Sequence, residues 1–210
     1  MRPLTIYKKL YKHFGPQHWW PVSSGKGDKG FEICVGVILT QNTNWQNVEM
    51  ALKNLIKERL LTPCALAKCP MQKLQRLIKP SGYFRQKAKK LKIFTKYICD
   101  NYNGDTKKLL QGNLDNKREE LLSIWGLGPE SVDSMLLYAG AKPTFMIDAY
   151  TVRLCRELGI KFKDYEDYRE YFQKKLPKSA KLYNEFHALI VAWGKVHSKN
   201  RKAAISLVKK

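Results

Sequence analysis

The chain has 210 residues, with 39 Lys and Arg against 18 Asp and Glu, so its formal net charge is +21. Hydrophobic residues make up 44% of the sequence and aromatic residues 11%, which is enough apolar surface for a packed core and excludes an intrinsically disordered chain. The length excludes a large multidomain assembly, because domains usually hold about 100–150 residues. The longest apolar run, 33–39, is far shorter than the roughly 20 residues that cross a bilayer, so we expect no membrane span.

The N-terminal residues 1–14 carry an amphipathic basic pattern without the apolar core and cleavage site of a secretory signal. Five cysteines, an odd number, argue against a disulfide framework and for a reducing compartment. Cys64 and Cys69 are the one close pair, and no nearby His or second Cys pair completes a metal site. We therefore expect free thiols, no metal site and a cytoplasmic protein.

Apolar residues recur at the three- and four-residue spacing of amphipathic helices through most of the chain, which predicts an all-α fold. The segments with this spacing include 4–14, 48–55, 74–78, 91–98 and 168–176. Residues 31–39 are apolar on nearly all sides, so we expect a buried central helix there. Thr62-Pro63 predicts the start of a helix, and Asn103-Gly104 the end of another.

The positive charge is unevenly distributed along the chain. Residues 51–112 carry a net charge of +12 and residues 173–210 carry +9, whereas residues 1–50 carry +3 and residues 113–172 carry −3. A solvated helix surface is one interpretation of such a basic block. Two separate basic blocks favour a polyanion such as nucleic acid, because each neutralised phosphate releases condensed counterions. A membrane surface is the weaker alternative, since no strongly amphipathic helix pairs basic residues with an exposed apolar face.

The most informative local pattern lies between two predicted helices. One helical pattern ends at Trp125, the turn Gly126-Leu127-Gly128 follows, and Pro129 occupies the first position of a new helix. Two glycines let the backbone turn sharply, and the N–H groups at a helix start can bind a phosphate through the main chain. The alternative is an ordinary glycine stop followed by a helix that begins with proline.

Asp148 follows an apolar stretch, 144–147, and precedes a helical pattern over 149–154. One interpretation is a helix N-cap, which is a common place for aspartate. The other is a functional carboxylate that the N–H groups of the helix keep ionised, one hairpin downstream of the candidate phosphate site. The spacing alone leaves both interpretations open.

The turn Gly126-Leu127-Gly128 followed by Asp148 resembles the helix-hairpin-helix, Gly/Pro-rich loop and Asp signature of the endonuclease III superfamily of DNA glycosylases. Two further stretches, 39–45 and 80–89, resemble the loop after its central helix and the Gly-aromatic loop before its basic helix. The resemblance covers roughly residues 30–160 with these motifs in order. Within the superfamily, His18-Trp19-Trp20-Pro21 together with Thr40-Gln41-Asn42-Thr43 is most similar to the 3-methyladenine DNA glycosylase III branch.

The resemblance implies two helical subdomains with a cleft between them. One would comprise residues 1–30 and 140–210, and the other residues 31–139, ending in the hairpin at about 117–139. It also implies that the partner is double-stranded DNA with a damaged base. We therefore expect a monomer that is associated with the nucleoid in the cytoplasm.

The resemblance also assigns roles to individual residues. Asp148 would stabilise positive charge on the sugar and activate the attacking water. Gln41 would fill the space that a flipped nucleotide leaves in the duplex, and the loop at Tyr83 and Phe84 would support the opposite strand. The remaining expected DNA-binding residues are Asn42, Arg85, Lys87, Lys89, Lys90 and the backbone of Gly126 and Gly128.

Tryptophans are the candidates for the pocket that receives the base. An aromatic face attracts a base made cationic by alkylation, by about 0.5–2 kcal/mol. Taken singly, each tryptophan is better explained by core packing than by a pocket. The pair Trp19-Trp20 and the position of Trp45 after the Thr-Gln-Asn-Thr loop favour the pocket for these three, whereas Trp125 and Trp193 are expected in the core.

Two departures from the superfamily pattern refine the expected chemistry. Glu130 occupies the position where lyase-competent members carry a lysine nucleophile, and a carboxylate cannot form a Schiff base, so hydrolysis without strand cleavage is expected. No cysteine follows Cys155, so we expect no iron–sulfur cluster and no other cofactor except a monovalent cation at the hairpin when DNA is bound. The pattern assigns no role to His187 and Lys195 on the last long helix.

The leading hypothesis is a monofunctional glycosylase that removes an alkylated purine such as 3-methyladenine. A second hypothesis keeps the fold but changes the target to uracil, mismatched thymine or 8-oxoguanine, with possible AP-lyase activity. A third is a non-catalytic binder of DNA structures that uses the hairpin alone.

Overall fold

The computed structural model of the protein describes residues 2–22 and 27–209, and within these ranges the fold is entirely helical, as the apolar spacing predicts. Backbone contacts divide the chain into two compact units. The terminal unit comprises Met1–Trp19 and Ala141–Lys210, and the central unit comprises Trp20–Gly140. No described helix is both long and apolar enough to span a membrane.

The central unit is built around one helix whose residues 31–39 are buried. Its helices are α2 (Lys29–Thr40), α3 (Trp45–Lys57), α4 (Pro63–Lys68), α5 (Met71–Leu77), α6 (Phe84–Tyr102), α7 (Thr106–Leu110), α8 (Leu114–Ser123) and α9 (Pro129–Ser134), with a 3₁₀ turn at Lys79–Ser81 and a π-helical segment at Met135–Ala139. Residues 31–39 of α2 are all buried, because an apolar helix surface needs neighbours on every side. Asp28 begins this helix by accepting a hydrogen bond from the Phe31 N–H at 3.0 Å.

A disulfide joins α4 to α6 in the central unit. Cys64 and Cys99 are bonded, with their Cα atoms 5.8 Å apart. The expectation that the cysteines are thiols is therefore wrong for this pair, because the two helices bring together residues that lie 35 positions apart in sequence. Cys34, Cys69 and Cys155 are free and buried.

The terminal unit contains five helices around an aromatic core. They are α1 (Pro3–Phe14), α10 (Ala149–Glu157), α11 (Tyr165–Lys175), α12 (Ala180–Lys199) and α13 (Arg201–Lys209). Phe145 stacks on Phe172 at 4.4 Å between ring centroids and meets the edge of Phe186 at 5.7 Å. Phe145 precedes Asp148 closely in the chain, so its packing in this core fixes the segment that leads into α10.

Helices α10 and α12 approach each other closely at a glycine. A Cβ atom on Gly194 would lie 2.1 Å from Cδ1 of Tyr150, which is far inside van der Waals contact. The ring of Tyr150 thus occupies the space that any side chain at position 194 would need. Gly194 is what allows the first turn of α10, and with it Asp148, to lie against α12.

A charged cluster joins the other end of α10 to α12 and α13. Glu157 accepts hydrogen bonds from Nε and Nη2 of Arg201, at 2.8 and 3.1 Å, and lies 3.0 Å from Nε2 of His197. Hydrogen bonds from Arg201 and His197 lower the pKa of Glu157 to about 2. The cluster connects the C-terminal helix to the rest of the unit.

Candidate functional site

At one position of the hairpin between α8 and α9, the backbone conformation and a close neighbour leave no room for a side chain. Gly126 has a φ of +94°, and a Cβ there would lie 2.6 Å from Cγ of Lys90. Gly128 has an ordinary extended conformation, and no heavy atom lies within 4 Å of the place where its Cβ would be. The first glycine therefore makes the turn and the close contact with α6, while the second leaves the start of α9 open.

Trp125 lies on the surface of this hairpin. Its side chain is 49% exposed, and Nζ of Lys89 lies 4.4 Å from the ring centroid. The expectation that Trp125 belongs to the core is wrong, because the residue follows the last turn of α8 and its ring faces outward over α6. Trp193 is fully buried and donates from Nε1 to the Ala204 carbonyl at 2.8 Å, as expected for a core tryptophan.

Lys87 does not reach the surface of α6. Its side chain is 2% exposed, and Nζ donates to the carbonyl oxygens of Leu39 at 2.8 Å and Ser81 at 2.6 Å. Burial, followed by the charge of Lys90, lowers the pKa of this ammonium to about 8. The predicted phosphate contact by Lys87 is therefore wrong in this structure, because both carbonyls at the end of α2 and in the 3₁₀ turn already hold the ammonium.

Lys90 connects three parts of the central unit. Its carbon chain packs below Gly126, and Nζ donates to Oε1 of Gln41 at 2.6 Å. Gln41 in turn donates from Nε2 to Oγ of Ser131 at 3.0 Å. The predicted duplex-filling residue is thus fixed between α6 and α9, and burial lowers the pKa of Lys90.

Other lysines of α6 also bind within the protein. Lys92 donates from Nζ to the carbonyl oxygens of Ala67 and Cys69 at the end of α4, and Lys96 pairs with Asp100 at 2.6 Å. The six basic residues between 85 and 96 therefore do not form one continuous phosphate-binding surface.

The remaining predicted DNA-binding residues lie near the surface. Tyr83 is 68% exposed and adopts a left-handed conformation with a φ of +44°, directly before α6. Arg85, Lys89 and Asn42 are exposed, and Phe84 is partly buried with the Arg85 guanidinium 6.0 Å from its ring centroid. These side chains are accessible to a ligand of the central unit.

Two of the three candidate pocket tryptophans pack together in the central unit. Trp20 meets the edge of Trp45 at 5.2 Å and lies 5.0 Å from the ring of Tyr138. A Cβ on Gly36 would lie 3.4 Å from the Trp20 ring, so α2 supplies a flat floor under the cluster. The Trp45 indole donates to Oε1 of Glu49 at 2.8 Å, which fixes its orientation.

Trp19, the third candidate, belongs to the terminal unit with Asp148. Its ring lies 6.2 Å from that of His187, in an edge-to-face arrangement. His187 in turn places Nε2 at 3.3 Å from Oδ2 of Asp148. The sequence signal for His187 was weak, because one histidine on a helix carries no pattern that points to a partner 39 positions away.

Asp148 is the N-cap of α10 and at the same time a largely buried carboxylate. Its Oδ1 accepts hydrogen bonds from the N–H and the hydroxyl of Thr151, at 2.7 and 2.9 Å, and its side chain is 14% exposed. Burial alone would raise the pKa of Asp148. The charge of His187 and the hydrogen bonds from His187 and Thr151 outweigh burial and lower this pKa.

Glu130, at the position of the lyase lysine, and Lys195, to which the sequence assigned no role, are both exposed. Glu130 lies in the first turn of α9, and Lys195 on α12. Within residues 2–22 and 27–209, no group of three or more His, Cys, Asp or Glu side chains is placed to hold a metal ion.

A family model for the HhH-GPD superfamily of base excision DNA repair proteins matches residues 35–178. The chain belongs to this superfamily. The match includes the hairpin and Asp148, and it makes the protein a DNA glycosylase of the endonuclease III type.

Relatives and solved structures agree with the family. The chain is 44% identical to "Putative DNA repair glycosylase MJ1434" of Methanocaldococcus jannaschii over 190 residues, which cover 89% of this chain and 84% of the relative. It is 30% identical to endonuclease III of Thermotoga maritima over 191 residues, which cover 90% of this chain and 81% of that protein.

Among solved structures, the fold is similar to that of H. pylori 3-methyladenine DNA glycosylase (MagIII) bound to 1,N6-ethenoadenine. The TM-score is 0.80 at 29% identity, with 93% of this chain and 98% of that chain covered. A trapped covalent endonuclease III–DNA intermediate matches with a TM-score of 0.78 at 20% identity, over 96% of this chain and 90% of that one. This second likeness concerns the fold alone.

Proposed function

We propose that this glycosylase is monofunctional and hydrolyses the N-glycosidic bond of an alkylated purine, such as 3-methyladenine, in double-stranded DNA. The observation that carries the proposal is the state of Asp148: a nearly buried carboxylate whose neighbours lower its pKa. An ionised carboxylate can stabilise the positive charge that develops on the sugar and can orient or deprotonate the attacking water.

The proposed substrate class rests on aromatic residues and on one structural relative. A purine alkylated at a ring nitrogen, such as 3-methyladenine, carries positive charge in DNA. Aromatic faces such as those of Trp19, Trp20 and Trp45 attract it more strongly than they attract a neutral base. A cationic base also needs little protonation as it leaves, which suits a site with a single proposed catalytic carboxylate. The similarity at 29% identity to a 3-methyladenine glycosylase supports the same substrate class.

Hydrolysis without strand cleavage follows from Glu130. Lyase chemistry requires an amine that attacks the sugar carbon, and the side chain at this hairpin position is a carboxylate. We propose that Gln41 enters the duplex in place of the flipped nucleotide, and that the loop at Tyr83 and Phe84 contacts the opposite strand.

A panel of duplexes, each with one lesion, tests this function. The lesions are 1,N6-ethenoadenine, 3-methyladenine, uracil, thymine opposite guanine, and 8-oxoguanine, and every reaction is analysed with and without alkali. We expect excision of the alkylated purines, with strand breaks that appear after alkali treatment. Excision confined to uracil, thymine or 8-oxoguanine would contradict the substrate class, and strand breaks without alkali would contradict the monofunctional mechanism.

A variant separates catalysis from binding. Asp148→Asn keeps the shape of the side chain and removes its charge, so excision should slow by about 100- to 1000-fold while the lesion duplex is still bound. A protein that binds DNA structures without catalysis would show no excision in either form.

A further inference from the structure

The two oxygens of Asp148 have different surroundings. Oδ1 accepts two hydrogen bonds from Thr151, one from its N–H and one from its hydroxyl. Oδ2 lies 3.3 Å from Nε2 of His187. Because Thr151 engages Oδ1 twice, Oδ2 is the oxygen with capacity left for a substrate or a water, and its orientation depends on His187.

His187 is held rigidly next to this oxygen. It lies on α12 with 3% of the residue exposed, and the edge of the Trp19 indole packs against its ring. The close contact of Tyr150 with Gly194 sets the separation of α10 and α12, so neither the carboxylate nor the imidazole can move away without separating the two helices.

We infer that His187 is a positioning residue for catalysis: its Nε2, 3.3 Å from Oδ2 of Asp148, orients this carboxylate for the sugar. The inference rests on the proposed function, in which Asp148 is the catalytic carboxylate. His187 acts through Asp148 and not on the base, so its loss should reduce the rate of excision and leave DNA binding unchanged.

The other ionisable groups on the helices around α12 have different partners. Glu157 of α10 and Arg201 of α13 surround His197, and Arg153 of α10 bonds to Ser198 at 3.5 Å. On α1, Tyr7 packs against Phe186 at 5.6 Å, and burial, followed by the charge of Glu185, raises its pKa. Asp148 is therefore the group whose titration should report a change at His187.

The test compares His187→Phe, which removes the donor, with His187→Gln, which retains an N–H donor of similar reach. Single-turnover excision from a duplex with one 3-methyladenine is measured with excess enzyme from pH 4 to pH 9, and the rate without enzyme is subtracted at each pH. We expect His187→Phe to be about 10- to 100-fold slower, the range for losing one hydrogen bond to a charged group. His187→Gln should stay within about threefold of the wild type near neutral pH.

The pH profile supplies a readout that a purely structural role would not change. His187 lowers the pKa of Asp148, so in His187→Phe this pKa rises, and the rate should begin to fall at a higher pH than in the wild type. Affinity for the lesion duplex should not change. An unchanged rate and acid limb in His187→Phe would overturn the inference, as would equal losses in His187→Phe and His187→Gln.

His197→Phe is the matched control, because His197 also lies on α12 and contacts a carboxylate, but that carboxylate is Glu157. Its excision rate and pH profile should match those of the wild type. If His187→Phe fails to fold, His187→Asn replaces it, since its shorter side chain cannot reach Oδ2; equal rates for the Asn and Gln variants would then refute the inference. Full activity of Asp148→Asn would refute the proposed function itself, whereas an inactive Asp148→Asn beside a fully active His187→Phe would refute only the role of His187.

Discussion

The lysines of α6 and the carboxylate of Asp148 have different kinds of partner. In the central unit, Lys87 and Lys92 donate to main-chain carbonyls at helix ends and Lys90 to the amide of Gln41. In the terminal unit, the largely buried Asp148 lies next to another ionisable group, His187. A cation on a carbonyl supports the fold, whereas a carboxylate next to a histidine has a tuned pKa and can do chemistry.

This difference changes the meaning of the net charge. The central basic block, 51–112, carries a net charge of +12, and its many lysines suggest a continuous DNA-binding surface. Several of these ammonium groups bind within the protein instead, and Lys89 and Arg85 of α6 are exposed. We therefore expect few lysines of this helix to contribute to DNA affinity. The following variants test which charged residues support the fold and which contribute to DNA binding or catalysis.

Gly194→Ala should be the most damaging substitution in the terminal unit. The new methyl group would overlap the Tyr150 ring, so we expect the free energy of unfolding to fall by about 3 kcal/mol and excision to be lost as α10 moves from α12. Thermal unfolding and excision assays check both effects. Gly128→Ala, where the added atom meets open space, is the control for the unfolding measurement alone. A second substitution, Tyr150→Ala, should restore part of the lost stability.

Lys87→Met should destabilise the central unit by about 1–3 kcal/mol, because two carbonyl oxygens lose their donor. The effect should depend on pH. The pKa of Lys87 is about 8 in the folded protein and higher in the unfolded chain, so the unfolded chain binds more protons between about pH 8 and 10.5. Wild-type stability should thus rise across this range relative to Lys87→Met in urea unfolding; a constant difference would contradict the assignment.

Lys89→Ala should leave stability within about 0.5 kcal/mol of the wild type, since the side chain is exposed. Its effect should appear in DNA binding, where losing one phosphate contact lowers the slope of log affinity against log salt by about 1. Titrations of a duplex at several salt concentrations measure this slope. A slope equal to that of the wild type would mean that Lys89 does not contact phosphate.

Patterns within a few neighbouring residues predicted the structure well. The helical spacing, the buried run at 31–39 and the helix end at Asn103 all have local causes, so they are visible in the sequence. Asp148 was also found from its local pattern. The hydrogen bonds from Thr151 make Asp148 an N-cap and also contribute to its lowered pKa, but the charge of His187 lowers this pKa more.

Predictions that depend on distant partners were less successful. Lys87 looked like a surface cation because its two carbonyl partners, Leu39 and Ser81, come from other elements. The bond between Cys64 and Cys99 and the contact of His187 with Asp148 likewise join residues 35 and 39 positions apart. No periodicity records such pairings, because they arise from helix packing.

The most direct test compares Asp148→Asn with Lys89→Ala. One experiment measures both the affinity for a duplex with one 3-methyladenine and the single-turnover rate at saturating enzyme. We expect Asp148→Asn to lose the rate by about 100-fold or more at unchanged affinity, and Lys89→Ala to lose affinity at an unchanged saturated rate. Wild-type excision rates in Asp148→Asn would contradict the assignment of the chemistry to the terminal unit.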